Sequence, residues 1–168
     1  YLPFIEPHFL IEAPEENVKK YRGKFAEKDN AEPYNARYAA MIERLDAAVG
    51  RVMKGLDDLG LASNTVVVFT SDNGATFETG SKGAPQYHDS NRPFRGQKRS
   101  LEEGGIRMPS LVRWPGKVPA GKRSDVPIHM TDIMPTLLAA AGAKPDPAWQ
   151  VDGTNMLDVW MGKSRGPE

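Results

Sequence analysis

The chain has 168 residues, of which 39% are hydrophobic, a size and composition suited to one folded domain. Lys and Arg number 22 and Asp and Glu also number 22, so the formal net charge is zero. This balance argues against a nucleic-acid groove and a polybasic membrane surface, and no apolar run approaches the roughly 20 residues that span a bilayer. Because the chain has no cysteine, it contains no disulfide, thiolate nucleophile or cysteine-bound zinc.

A charged stretch and a long helix are predicted in the first third of the chain. Residues 11–33 are charged and contain proline, so we expect an irregular surface connection. Apolar residues then recur every three or four positions over 36–59, which predicts an amphipathic helix. Asn35 is a candidate cap at its start, and Gly60 fits its C-terminal stop. The apolar stripe, which we expect to pack on a sheet, comprises Tyr38, Met41, Ile42, Leu45, Val49, Val52, Leu56 and Leu59.

A buried strand follows this helix after a short loop. Residues 65–74 read TVVVFTSDNG, a run of β-branched and aromatic residues that ends in small polar ones. Such a run is typical of a strand covered on both faces, and hence of a mixed, mostly parallel sheet with helices on it. The succession of helix, short loop and strand therefore predicts an α/β fold.

The remaining segments differ strongly in character. Residues 74–105 are polar and glycine-rich with no sustained period, so we expect a long functional loop without regular elements. Residues 109–114 (PSLVRW) predict a second strand, and 131–142 (TDIMPTLLAAAG) predict a second helix. Residues 151–164 are expected to hold one more short helix.

The strand ends on Asp72 and Asn73, and two interpretations of this pair are open. Asp, Asn and Gly favour turns, so the pair is consistent with simple punctuation. Ligands of α/β sheets, however, collect at the carboxyl ends of strands. A carboxylate beside an amide carbonyl also suits a hard cation such as Ca²⁺ or Mg²⁺.

Two histidines are candidates for a functional role. His8 follows the apolar residues 2–5, which are a candidate strand, so it too is expected at a strand end. It is either a hydrogen-bonded structural residue or a donor to an anionic substrate or leaving group. His88 lies in the long loop and is a candidate for lining a substrate pocket, although a single histidine in this position favours a structural role.

A basic cluster, RPFRGQKRS at 92–100, lies in the same loop and ahead of Gly104 and Gly105. It is either a solvated surface segment or a clamp for an oxyanion, since Lys supplies a compact charge and Arg a bidentate fork. The paired glycines allow the backbone to come close to another segment. The cationic members of the cluster are Arg92, Arg95, Lys98 and Arg99.

Several segments, taken in order, resemble the type I sulfatases, the formylglycine-dependent arylsulfatase-like enzymes of the alkaline phosphatase superfamily. The matching segments are EPHF, RYAAMIERLDAAVGRVMKGLDDLG, NTVVVFTSDNGA, PFRGQKRSLEEGGIRMPSLVRWPGKV, HMTDIMPTLLAAAG and VDGTNML. Each is weak alone, but the ordered set is specific and covers nearly the whole chain. The resemblance implies an alkaline-phosphatase-like sulfatase fold that acts on sulfate esters.

The resemblance also implies roles for individual residues. Asp72 and Asn73 match two ligands of the family's Ca²⁺. Lys98 matches the sulfate-binding lysine, and His8 matches the histidine of a Pro-His element that contacts the sulfate ester. Both are therefore expected to be catalytic and substrate-binding, and His88 and Arg99 are further candidates for substrate binding.

The chain departs from the family pattern in several places. Gln97 and Arg99 flank Lys98 where relatives have glycine, and Leu10 replaces a frequent proline. The Cys- or Ser-x-Pro-x-Arg motif, whose Cys or Ser becomes formylglycine, is absent, as are the paired N-terminal aspartates and a second lysine and histidine. We therefore expect residues 1–168 to be the C-terminal portion of a sulfatase catalytic domain. Alone, it is expected to be inactive and, with apolar surface uncovered, to self-associate.

Two other functions are open at this point. One is a phosphodiesterase or phosphonate hydrolase of the same superfamily, with similar metal-binding strand ends. The other is a fragment without catalysis that binds anions. The sulfatase mechanism implied by the resemblance has a hydrated formylglycine attack sulfur, after which the alcohol leaves and sulfate is eliminated. The identity of the alcohol is not encoded in these motifs.

Overall fold

The computed structural model describes residues 1–77, 81–164 and 166. The chain forms two compact units, which comprise residues 1–59 with 69–110 and residues 60–68 with 111–168. The described elements, in chain order, are α1 (Glu15–Val18), α2 (Tyr34–Asp58), β1 (Val67–Thr70), α3 (Ala84–His88), α4 (Glu103–Ile106), β2 (Ser110–Arg113), α5 (Ile133–Ala140) and α6 (Leu157–Trp160). Single 3-10 turns lie at Ala62–Asn64, Ser81–Gly83 and Met130–Asp132. The described helices include no segment that combines the length and apolarity of a bilayer span.

The short helix α1 supplies the most buried large side chain of the first unit. Val18 is 1% exposed and packs against Ala36 and Ala40 of α2. The two alanines lie four residues apart, on one face of α2, and their small side chains allow α1 to approach closely. The prediction of an irregular connection over 11–33 is therefore wrong at α1, because a single valine in a charged sequence leaves no periodic signal.

Helix α2 confirms the predicted helix, but its cap differs from the expected one. It begins at Tyr34, so Asn35 lies inside its first turn. The acceptor is instead Glu27, whose two carboxylate oxygens accept the N–H groups of Asn35 and Ala36, both at 2.8 Å. Gly60, with φ of 67°, follows the C-terminal end as predicted.

The apolar stripe of α2 is only partly covered. Met41 is 6% exposed, whereas Val52 is 37% exposed and Leu45 is half-buried. The elements that α2 packs against in its own unit are α1 and α3. The expectation that the whole stripe packs on a sheet is therefore wrong for this chain, and burial is concentrated at the N-terminal end of α2.

Strands β1 and β2 confirm the two predicted strands and pair with each other in a two-stranded sheet. The end of β1 lies beside the start of β2, since the Thr70 and Ser110 hydroxyls are 3.0 Å apart. The residues before β1 lie beside those after β2, since Trp114 Nε1 donates to the Ser63 carbonyl at 3.0 Å. The pair is therefore antiparallel. A mixed, mostly parallel sheet is not formed by the described residues, because an apolar run indicates burial and not strand direction.

The predicted loop at 74–105 contains the short helices α3 and α4, which the sequence analysis missed. Helix α3 packs on α2 through His88, whose ring centre lies 4.6 Å from that of Tyr38 and 5.9 Å from that of Tyr34. Burial raises the pKa of Tyr34 to about 12, so this ring stays neutral. Burial also lowers the pKa of His88, although the negative charges of Glu27 and Asp89 act to raise it.

In the second unit, α5 confirms the predicted second helix and α6 the predicted short one. Asp132 connects them, because its carboxylate accepts the N–H groups of His129 and Thr154, each at 2.7 Å. The Thr136 hydroxyl donates to the Asp132 carbonyl at 2.6 Å and accepts the Met156 N–H at 2.9 Å. Thr136 is fully buried, so these bonds hold the C-terminal segment on α5 without help from water.

The Glu27 cap gives the first prediction. Replacing Glu27 with Ala leaves two N–H groups of the first turn of α2 without their acceptor and removes a negative charge from the helix N-terminus. We expect the free energy of unfolding to fall by about 1–2 kcal/mol, measured by urea denaturation. Glu32→Ala is the control, since Glu32 makes an exposed ion pair with Arg37 at 2.9 Å and its loss should cost under about 1 kcal/mol. Equal losses for the two variants would contradict the capping role.

The packing of His88 gives the second prediction. Because its pKa is lowered in the fold, the unfolded chain binds a proton at a higher pH than the native chain does. Stability should therefore fall as the pH drops from about 7 to about 5, a range in which Asp and Glu remain mostly ionised. Denaturation midpoints across this range should show a weaker pH dependence for His88→Phe than for the parent chain. The same slope in both proteins would contradict this interpretation.

Candidate functional site

The predicted cation ligands lie in the turn that follows β1. Asp72 is the second residue after the strand and is exposed, while Asn73 is half-buried. The Asn73 side-chain N–H donates to the Gly74 carbonyl at 3.0 Å, and the Ser71 hydroxyl donates to the Asn73 carbonyl at 3.0 Å. The amide nitrogen of Asn73 is used inside the turn, and its side-chain oxygen accepts no hydrogen bond from the residues that the structure describes. The turn and the cation-site interpretations are therefore compatible.

The backbone of Ala75 connects this turn to the basic cluster. The side chain of Asn91 accepts the Ala75 N–H and donates to the Ala75 carbonyl, both at 3.1 Å. The same amide donates to the Gly96 carbonyl at 2.9 Å. The Lys98 N–H also donates to the Ala75 carbonyl, at 2.8 Å. Asp72 and Asn73 thus lie three and two residues before Ala75, and the candidate sulfate-binding lysine bonds to Ala75 through its own N–H.

Glycines make this close approach sterically feasible. The Gly74 N–H donates to the Gly105 carbonyl at 2.9 Å, and a Cβ atom on Gly74 would lie 1.9 Å from the Gly104 carbonyl oxygen. A Cβ atom on Gly104 would in turn lie 2.2 Å from the Gly96 carbonyl oxygen. Side chains at Gly74 and Gly104 would therefore force backbone segments apart. This confirms the prediction that Gly104 and Gly105 allow a close backbone approach.

Lys98 lies in a tight turn beside this contact. The Ser100 N–H donates to the Gln97 carbonyl at 2.8 Å, so Lys98 and Arg99 are the two central residues of a four-residue turn. Arg99 has φ of 76°, the left-handed conformation that type II turns require at this position. Lys98 is half-buried and Arg99 is exposed. The turn therefore favours glycine at position 99, because glycine adopts the left-handed conformation without strain. This chain has arginine there instead.

The charges of the basic cluster are largely used within the loop. Arg92 pairs with Asp89 at 2.6 Å, and Arg95 pairs with Glu102. The hydrogen bond between Arg95 and Glu102 raises the pKa of the arginine and lowers that of the carboxyl. Lys98 makes no ion pair with any residue that the structure describes. Among these residues, no carboxylate therefore competes with an external anion for its ammonium group.

The donor set fits a hard cation but is small. Asp72 and Asn73 offer carboxylate and amide oxygens, the ligand types that Ca²⁺ prefers, but Ca²⁺ normally takes about six to eight oxygens. Within 1–77, 81–164 and 166, no three His, Cys, Asp or Glu residues are grouped so as to hold a metal. The pair therefore fits as part of a cation site whose other ligands come from elsewhere.

His8 is exposed, and its described contacts are local. Residues 1–5 form no strand, so the predicted strand before His8 is wrong. The His8 N–H donates to the Ile5 carbonyl at 2.8 Å, and ring Nδ1 lies 2.8 Å from the Phe9 carbonyl oxygen. Since a carbonyl only accepts, Nδ1 carries the proton and Nε2 faces away from this bond. Contacts that join His8 to Asp72 or Lys98 are not found among the described residues.

Two further residues, His88 and Asn91, differ from what the sequence predicted. The ring of His88 packs on the tyrosines of α2. This packing favours a structural role for His88 over the lining of a substrate pocket. Asn91, which the sequence analysis did not select, is 7% exposed and makes three hydrogen bonds to backbone groups. Its only sequence signal is an Asn in a turn-rich loop, which normally indicates a turn.

Comparisons with known proteins identify the family. A family model described as Sulfatase matches residues 1–143. Steryl-sulfatase of Rattus norvegicus is 40% identical over 125 residues, which are 74% of this chain and 22% of that protein. N-acetylgalactosamine-6-sulfatase of Homo sapiens is also 40% identical over 125 residues, or 74% of this chain and 23% of that protein. The chain thus spans less than a quarter of the length of these relatives.

Solved structures agree with this result. The crystal structure of Ps i-CgsB superposes with a TM-score of 0.81 and 36% identity, over 97% of this chain and 33% of that one. The PsFucS1 sulfatase from Pseudoalteromonas sp. superposes with a TM-score of 0.64 and 28% identity, over 84% of this chain and 26% of that one. The segments that carry the site, from the turn after β1 to the paired glycines, lie within the residues that the family model matches. The chain belongs to the sulfatase family.

Proposed function

We propose that this chain forms part of the active site of a sulfuric ester hydrolase and supplies its sulfate-binding lysine and two of its calcium ligands. The observation that carries this proposal is the hydrogen-bonded contact at Ala75. It brings the turn with Asp72 and Asn73 next to the turn with Lys98. A cation site beside a free ammonium group is an arrangement suited to an anionic substrate.

Lys98 holds a sulfate oxygen through its ammonium group in this proposal. The arginines Arg92 and Arg95 are paired with carboxylates, so Lys98 is better placed to respond to an added anion. The backbone of Lys98 is anchored to Ala75 at 2.8 Å, which limits the ordering cost when the side chain binds sulfate. A lysine ammonium group is a compact charge that fits a tetrahedral oxyanion without a fixed planar geometry.

Asp72 and Asn73 contribute oxygens to the calcium site in this proposal. Bound Ca²⁺ supplies positive charge that stabilises negative charge developing on the sulfate oxygens. The exposure of Asp72 and the free side-chain oxygen of Asn73 are consistent with that use. The remaining ligands and the nucleophile are supplied from outside these residues, since the sequence has neither cysteine nor a Ser-x-Pro-x-Arg segment.

His8 acts on the bridging oxygen of the ester in this proposal. Because Nδ1 donates to the Phe9 carbonyl, Nε2 is the nitrogen that faces the substrate. Nε2 carries a proton only in the imidazolium form, so His8 serves as an acid to the leaving alcohol when it is charged. His8 and Arg99 are exposed, and contact with substrate at these two positions needs no rearrangement of the core.

The substrate class is defined by its sulfate ester. The relatives named above are called steryl-sulfatase and N-acetylgalactosamine-6-sulfatase, so their names share the sulfate and differ in the alcohol. The residues of this proposal all address the sulfate group. We therefore assign a sulfate ester as the substrate and leave the alcohol to residues outside this site.

The third prediction tests the role of Lys98. We expect the chain to bind inorganic sulfate in isothermal calorimetry and Lys98→Ala to weaken this binding about tenfold, as expected for one charge-assisted hydrogen bond. Added Ca²⁺ should strengthen binding in the parent chain, and less so in Asp72→Asn, which removes the charge of one ligand. The control is Lys122→Ala, because Lys122 is an exposed lysine of the other unit. Sulfate affinity that depends equally on both lysines would contradict the proposal.

An aryl sulfate assay with added Ca²⁺ completes this test. The chain alone should show no turnover, because it lacks a residue that becomes formylglycine by the family's route. Turnover that persists through purification and disappears in Lys98→Ala or His8→Ala would contradict this expectation. It would require a nucleophile within these 168 residues.

A further inference from the structure

The buried side chain of Asn91 has a hydrogen-bonding pattern that suggests more than a turn. Its oxygen accepts the Ala75 N–H, and its nitrogen donates to the carbonyls of Ala75 and Gly96. The amide has one acceptor group and two donor hydrogens, and each makes a bond. Toward Ala75 it behaves as a neighbouring β-strand would, since it satisfies both polar groups of one residue.

This pattern is specific to a short side-chain amide. An aspartate at 91 would keep the acceptor for the Ala75 N–H, but its negative charge would face the carbonyls of Ala75 and Gly96. An alanine would leave all three backbone groups without this partner, at a position that is 7% exposed. A glutamine is one methylene longer and would push the segments apart, where a Cβ atom on Gly104 already lacks room.

Asn91 also determines where Lys98 lies relative to the turn after β1. The Ala75 carbonyl accepts from both Asn91 and Lys98, so the two bonds share one acceptor. The bond from Asn91 to Gly96 holds the start of the lysine turn, two residues before Lys98. Removal of the Asn91 amide therefore breaks the link from Ala75 to Gly96 and leaves the bond from the Lys98 N–H to the Ala75 carbonyl to hold the lysine turn in place.

We propose that Asn91 is a positioning residue that aligns Lys98 with the turn of Asp72 and Asn73, so that the Lys98 ammonium group and a cation held by that turn can bind a single anion. This inference rests on the proposed function for the identity of the anion. Asn91 itself faces backbone groups and is buried, so it acts through Lys98 and not by contact with the substrate.

The fourth prediction is tested with the parent chain, Asn91→Ala, Asn91→Asp and the double variant Asn91→Ala/Lys98→Ala, titrated with inorganic sulfate. We expect Asn91→Ala to weaken binding about fivefold, and the double variant to bind no more weakly than Lys98→Ala alone. Such non-additivity is not expected of a residue that only stabilises the fold. Asn155→Ala is the matched control, because Asn155 accepts the Leu157 N–H at 3.0 Å in the other unit.

A second measurement uses the parent chain and needs no variant. In NMR spectra, added sulfate should shift the side-chain NH₂ signal of Asn91 and the amide signals of Ala75 and Lys98. The amide of Lys98 should also exchange with solvent faster in Asn91→Ala or Asn91→Asp than in Asn155→Ala. Both measurements keep the inference testable if one variant fails to fold.

The outcomes separate this inference from the proposed function. A parent chain that does not bind sulfate contradicts the proposed function, and unchanged Lys98 exchange in the Asn91 variants then overturns the positioning role as well. Sulfate binding that Lys98→Ala weakens and Asn91→Ala leaves intact overturns the positioning role alone. Additive losses in the double variant, or NMR shifts confined to Lys98, overturn it in the same way.

Discussion

The backbone of Ala75 is the point on which the candidate site depends. Strand β1 ends at Thr70, so the residues that follow have no neighbouring strand to pair with. Their half-buried polar groups still require partners. Asn91, Lys98 and Gly105 supply these partners from a different part of the chain. The need to satisfy a few backbone groups therefore brings an acidic turn and a basic turn together.

Ion pairs within the loop determine which of its cations can bind an added anion. Asp89 and Glu102 each neutralise one arginine, and Glu103 pairs with Arg107 at 2.6 Å. Exposed ion pairs such as these contribute little to stability. Their effect here is on availability, because an arginine held by a carboxylate competes poorly for a second anion. Within the basic cluster, Arg92 and Arg95 are thereby held by carboxylates, whereas Lys98 has no carboxylate partner among the described residues.

The sequence predicted elements wherever a periodic or continuous apolar signal existed. Helix α2, both strands, α5 and α6 follow from such signals, and Gly60 follows the end of α2 with positive φ as expected. Helix α1 was missed because Val18, which packs on two alanines, is its one buried residue and leaves no periodic signal. Helix α3 was missed because its anchor, His88, packs on rings fifty or more positions earlier in the sequence. The sequence of neither strand indicates that the sheet is antiparallel.

The site was predictable to a smaller extent. The pair Asp72 and Asn73 and the lysine Lys98 were found from strand-end chemistry and from resemblance to a family, and the structure holds their segments together. Their roles toward calcium and sulfate remain proposals. Asn91 and Glu27 were not found, because each acts on backbone N–H or carbonyl groups distant in sequence. Hydrogen bonds between side chains and backbone groups do not follow a fixed residue spacing, so a single sequence does not reveal them.

The positive φ of Arg99 has a consequence for how this segment tolerates substitution. An L-residue in the left-handed conformation costs roughly 1–2 kcal/mol, a cost that glycine avoids and that asparagine reduces. At φ of 76°, the residues that can replace Arg99 are therefore limited by backbone preference as well as by charge. Valine, isoleucine and threonine are disfavoured because of their β-branching, whatever their polarity. Glycine and asparagine are consequently the replacements that the backbone at position 99 accommodates most easily, and the arginine there carries a conformational cost that the adjacent Lys98 does not share.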